Sequence, residues 1–87
     1  MAERKITVES EVGLHARPAA TFVQTATKAS IDVTVAKLGG SGAPVNAKSI
    51  LSVLSLDVRR GDTIVINAEG EGADELLDQL AAIASAT

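Results

Sequence analysis

The residues best suited to chemistry lie in one run, Gly13-Leu14-His15-Ala16-Arg17-Pro18-Ala19-Ala20. His15 is the only histidine in the chain. A neutral imidazole nitrogen is nucleophilic near physiological pH, and histidine forms covalent intermediates with electrophiles, a phosphoryl centre among them. Pro18 fits the first turn of a helix, where its missing N–H costs little, so His15 falls just before a helix start. Such a start offers unpaired N–H groups and a favourable dipole to a dianion, worth about 0.3–1 kcal/mol per charge. Arg17 can add a charge-assisted bond to phosphoryl oxygens. Gly13 lets the loop expose the ring, and Pro18 biases Arg17 away from helical geometry. Together these residues can attack a phosphoryl group and hold it without trapping it, the balance a carrier needs. The same residue types also fit a solvated loop histidine, a surface arginine and a proline that merely starts a helix. Residue chemistry alone leaves both readings open.

Other chemistry is thin. One histidine and no cysteine cannot complete a usual zinc set, so neither a metal nor a cofactor is expected. No paired-carboxylate geometry can be deduced for Asp57, Asp62, Asp74 and Asp78, which read as solvated or capping groups. Gly39-Gly40-Ser41-Gly42 lacks the Lys-Ser/Thr pair of a phosphate-binding loop and reads as a hairpin tip. Without a nucleotide site, the chain is not expected to prepare its own activated phosphate.

The elements that must position His15 follow from the apolar pattern. Ile6-Thr7-Val8 alternates at period two and predicts a short strand, followed by a loop over Glu9 to Leu14. Ala19, Phe22, Val23 and Ala26 mark one face of a helix that should end near Lys28 to Ser30. Ile31, Val33 and Val35 predict a second strand. After the glycine-rich turn, Pro44 points to a short third strand at an edge, around Val45-Asn46. Ser49 can cap a short helix from Ile50 to about Leu56. Ile50, Val53 and Leu54 give that helix one apolar side, with Leu51 toward the other. Gly61-Asp62 predicts a turn, Thr63 to Ala68 a fourth strand, and Ala73 to Ala84 a last helix with a stripe of Leu76, Leu77, Leu80, Ile83 and Ala84. Asp74 and Glu75 suit the positive end of its dipole. The order β-α-β-β-α-β-α fits a two-layer α/β sandwich with helices on one face of the sheet.

Composition bounds what the fold can serve. The 87 residues, 46% hydrophobic, suit one domain spanning 1–87 with a modest core. That core must be aliphatic, because Phe22 is the only aromatic residue. The absence of cysteine excludes disulfides and thiol chemistry. A net charge of −3 and the lack of a stacking platform argue against nucleic acid. The amino end carries no signal-peptide pattern and no apolar run reaches membrane-spanning length. A cytoplasmic protein without membrane insertion is the expectation, and a monomer is the default.

At this point a resemblance sharpens the reading. The run Gly13 to Ala20 is similar to the active-site signature of the HPr family, the histidine-containing phosphocarriers of the bacterial sugar phosphotransferase system. Val45-Asn46-Ala47-Lys48-Ser49-Ile50-Leu51, Leu54-Ser55-Leu56 and Gly61-Asp62-Thr63-Ile64-Val65-Ile66 also resemble that family, in the family's order and over nearly the full chain. The resemblance implies an open-faced β-sandwich, a two-layer α+β fold. Its four-stranded antiparallel sheet would have order 1-4-2-3, with three helices covering one face.

The resemblance also implies a chemistry. His15 would take a phosphoryl group on Nδ1 from the phosphorylated histidine of enzyme I and pass it to the IIA component of a sugar permease. Arg17 would balance the phosphoryl charge, and the amides near Ala16 and Arg17 would help hold it. The chain would be a phosphotransfer partner rather than an independent catalyst. Ala16 and Ala20 would flank the site, and Leu51 and Leu54 would form an apolar docking patch, although pattern alone makes both leucines core residues. Ser49 matches a serine that an HPr kinase/phosphorylase modifies in many members, and the modified form would have a transcriptional regulator as partner. The bland alternative is that Ser49 is only a helix cap.

Three departures stand out. Val12 occupies a position where many members carry Asn or Ser, the turn from Leu38 to Pro44 is long, and Leu51 to Leu54 lacks the methionines of Gram-positive members. Two other readings remain open: a paralogous carrier in nitrogen or other regulation, and a regulatory interaction protein acting mainly through Ser49.

Overall fold

The computed structural model describes residues 2–9, 16–39 and 43–85, with the side chains of 16–18 outside that description. The elements run β1 (Ala2–Thr7), α1 (Ala16–Thr27), β2 (Asp32–Lys37), β3 (Val45–Asn46), α2 (Ile50–Ser55), β4 (Thr63–Glu69) and α3 (Ala73–Ser85). The four strands form one sheet of order β1-β4-β2-β3 in which every pairing is antiparallel. The three helices cover one face, giving the open-faced sandwich that the sequence implies.

Strand alternation fixes which residues face the helices. Ile64, Ile66 and Ala68 of β4 and Val33 and Val35 of β2 are buried, while Val65, Asn67 and Thr34 keep partial access to solvent on the open face. A one-residue slip would turn this whole set outward, so the apolar pattern specifies the register. From the helices come Ala19, Phe22 and Ala26 of α1, Val53 of α2, and Leu77 and Leu80 of α3. Each large side chain removed from water contributes roughly 1.5–3 kcal/mol. Val8, Ala47 and Val58 complete the core from the connections between elements.

Two expectations are corrected. The first strand begins at Ala2 and stops at Thr7, rather than covering Ile6 to Val8. Its inward positions are Ala2, Arg4 and Ile6, and an arginine among them hides the apolar alternation. Arg4 is accommodated because its guanidinium turns to Asp74 at 3.2 Å and Asp78 at 3.3 Å on α3. Val8 leaves the strand yet stays fully buried. Ile50, placed by pattern on the apolar side of α2, is 38% exposed, and only Val53 of that helix is buried. With fewer than two turns, the helix rests on the core through Val53, with Leu54 packed partly beside it.

Candidate functional site

Helix α1 begins at Ala16, the residue directly after His15 in the chain. His15 itself, with Gly13 and Leu14, lies outside the described residues. Ala16 and Arg17 form the first turn of α1, and Pro18 at its third position gives up an N–H that a helix start leaves unpaired. Ala20 is half-buried one turn further on, and Ala19 and Phe22 anchor the helix in the core.

Packed against α1 is α2, the second element of the candidate surface. Its start is built by Asn46 to Ser49. The Asn46 side-chain oxygen accepts from the Lys48 amide at 2.9 Å, and the Ser49 amide donates to the Asn46 carbonyl at 3.2 Å. Ser49 is the N-cap: its backbone is extended and its hydroxyl accepts from the Ser52 amide at 3.3 Å. The Lys48 ammonium crosses to the end of α1 and donates to the Ala29 carbonyl at 2.9 Å. Ala29 lies two residues past the end of α1, so this bond ties the start of α2 to the exit from α1.

The two leucines of the expected docking patch part company. Leu51 is 77% exposed, the most open large apolar side chain among the described residues. Leu54 is half-buried and packs against the core. Ile50 stands beside Leu51 at the solvent side of α2. Together the two side chains leave an apolar spot on the solvent side of α2.

Sequence reasoning missed a cluster at the connection between α2 and β4. Asp57 adopts a left-handed conformation, φ 50°, directly after the helix, a geometry that short polar side chains tolerate best after glycine. Its carboxylate receives the Arg59 guanidinium at 3.0 and 3.3 Å. The Asp62 carboxylate accepts from the Arg59 amide at 2.9 Å and lies 3.3 Å from the Lys37 ammonium. The Arg59 amide, aided by Lys37, holds the Asp62 carboxyl below its ordinary pKa against a smaller opposing effect of burial. Arg59 is raised in turn, first by its hydrogen bond to Asp57. The only local signal was the Gly61-Asp62 turn, which says nothing of Lys37.

Residues 2–86 match a family model described as the PTS HPr component phosphorylation site. The chain is 49% identical over 81 residues to the phosphocarrier protein HPr of Streptomyces coelicolor, covering 93% of this chain and 85% of that one. It is 44% identical over 82 residues to the HPr-like protein Crh of Bacillus subtilis, covering 94% and 93%. A crystal structure of phosphocarrier protein HPr from Bacillus anthracis superposes with a TM-score of 0.87 at 40% identity, covering 97% of this chain and 96% of that one.

Proposed function

The chain belongs to the HPr family of phosphotransferase-system phosphocarriers, and from that premise we propose that His15 is its phosphoryl acceptor. The Nδ1 lone pair attacks the phosphorus carried by a histidine of enzyme I. One N–P bond forms as the donor's breaks, and the bonding pair returns to the donor ring. A IIA component of a sugar permease then removes the group by the same exchange. The observation that carries this reading is the start of α1 at Ala16, the next residue in the chain after His15, where a helix start leaves amides unpaired for an anion. Arg17 supplies the balancing charge, and the amides of Ala16 and Arg17 hold phosphoryl oxygens. Because the exchange is nearly symmetric in bond type, the group leaves as readily as it arrives.

Docking uses Ala16 and Ala20 on α1 and Leu51 on α2, with Leu54 supporting the patch from its half-buried position. The exposure of Leu51 supports this assignment.

The resemblance of Val45 to Leu51 to the family supports a second, compatible role for Ser49. A kinase/phosphorylase modifies the hydroxyl that caps α2, and the added charge beside Leu51 obstructs enzyme I while creating a surface for a transcriptional regulator. Ser49 already carries its oxygen at the helix start, so the charge is tolerated there.

The test is phosphotransfer from phosphoenolpyruvate through enzyme I to wild type and His15→Ala. Acid-labile, base-stable phosphate on wild type alone, with a phosphohistidine signal in phosphorus NMR, is the expected result. Folded wild type that stays unlabelled with several compatible enzyme I proteins overturns the reading. Loss of biological activity in Ser49→Ala but not in His15→Ala would move the function to Ser49.

A further inference from the structure

In the chain, His15 falls between two described anchors. Downstream is α1, starting at Ala16 and fixed by buried Ala19 and Phe22. Upstream is Val8, fully buried but outside the sheet, which ends at Thr7. Val8 is held instead by the connection between α2 and β4. Its amide donates to the Asp62 carbonyl at 2.8 Å, and its carbonyl accepts from the Gly61 amide at 2.8 Å.

That connection depends on one carboxylate. Asp62 accepts from the Arg59 amide through Oδ2 at 2.9 Å and returns its own amide to the Arg59 carbonyl at 3.0 Å. The two residues therefore close a reciprocal turn. The same Oδ2 lies 3.3 Å from the Lys37 ammonium at the end of β2, and that ammonium also donates to the Asp57 carbonyl at 3.2 Å. Lys37 thus grips the connection at both its beginning and its end. Asp62 is where the two grips meet, and its carbonyl is the one that receives Val8.

On the assignment of His15 as acceptor, we infer that Asp62 is a positioning residue for phosphoryl transfer: it fixes the connection that holds Val8 and so sets where the His15 segment begins. A reacting atom displaced by about 1 Å can lose on the order of 10²-fold in rate, so a shift of this anchor that reaches the imidazole is read as a loss of rate. A carboxylate that only stabilised the fold would leave the rate of the folded protein unchanged.

The experiment compares wild type, Asp62→Ala, Asp62→Asn, Lys37→Met and Asp78→Ala as full chains in transfer from enzyme I, well below their melting temperatures. Asp78→Ala removes an exposed ion-pair partner of Arg4 on α3 and serves as control. Asp62→Ala is expected to lower kcat about tenfold with KM within about twofold, and to shift the NMR titration of the His15 ring. Asp62→Asn keeps an oxygen for the Arg59 amide and should recover most of kcat. Asp78→Ala should match wild type. Wild-type kcat in folded Asp62→Ala, an equal fall in Asp78→Ala, or a rise in KM alone overturns the inference. Should Asp62→Ala not fold, Lys37→Met decides: a lowered kcat supports the role and an unchanged one overturns it. Wild type unlabelled at His15 would overturn the functional reading and this one together, whereas normal wild-type labelling with unaffected variants overturns only this one.

Discussion

Leu51 and Val53 stand two positions apart on α2, one 77% exposed and the other fully buried. A two-residue step rotates a helix by more than half a turn, so one short helix separates a solvent-facing side, proposed above for docking, from a side for the core. The pair makes those two jobs experimentally separable.

Truncating each leucine-sized contact should therefore act on a different quantity. Leu51→Ala is expected to leave stability within about 0.5 kcal/mol of wild type and to raise KM for enzyme I by up to about tenfold, as loss of a central apolar anchor does. Val53→Ala should cost about 1–3 kcal/mol and lower Tm by roughly 4–8 °C per kcal/mol. Thermal melts and steady-state transfer on the two variants check both halves.

Ser49→Ala should destabilise the protein by about 0.5–2 kcal/mol through loss of the cap on the Ser52 amide. Ser49→Asp should restore the cap, because a carboxylate accepts the same bond and favours the dipole. If docking beside Leu51 is charge-sensitive, Ser49→Asp will melt like wild type yet transfer with a higher KM. Calorimetry with transfer kinetics separates the two effects.

Arg4 predicts a weak, salt-sensitive link between β1 and α3. Its partners Asp74 and Asp78 are 78% and 70% exposed, and pairs in such surroundings are worth about 0–1 kcal/mol. Arg4→Met should cost no more than that at low salt and less at about 1 M salt, where screening is nearly complete. Denaturant titration at two ionic strengths measures it.

The acid limb of stability should carry a contribution from Asp62. Its folded pKa lies below the ordinary value, so the unfolded chain takes up the proton first as pH falls. The contribution is complete above the ordinary carboxylate pKa and disappears as pH drops through the lower folded value. Lys37 and the Arg59 amide are the groups that face the carboxylate, and neither loses its proton in that window. Asp62→Asn should flatten this part of the profile, as NMR titration and melts between about pH 2 and 5 will show.

Much of this architecture is written in local pattern. Ile64 and Ile66 declare β4, the leucines of α3 declare its stripe, and Pro44 foretells the brevity of β3. The chemistry of residues 13–20 is equally local, since a nucleophile, a cation and a helix-starting proline sit within a few positions. What escaped is long-range. Arg4 is inward only because Asp74 and Asp78 wait on another element, and Val8 is buried outside a strand because Asp62 and Gly61 receive its backbone. No window of neighbouring residues contains those partners. Leu51 shows the complementary limit: helical spacing puts it opposite Val53, but only the resemblance to a family pointed to docking as a role for the exposed side.

The order β1-β4-β2-β3 also governs when the molecule can finish itself. Ala2 pairs with Ala68 and Thr7 with Thr63, so β1 has no neighbour in the sheet until β4 has left the ribosome. The α1 and β2 segments are synthesised while β1 is still unpaired, and closing the sheet then spans most of the chain, a slow kind of contact. During elongation β1 must stay uncommitted longer than any other strand, and the charges at Glu3, Arg4 and Lys5 help keep that waiting strand from pairing with another nascent copy.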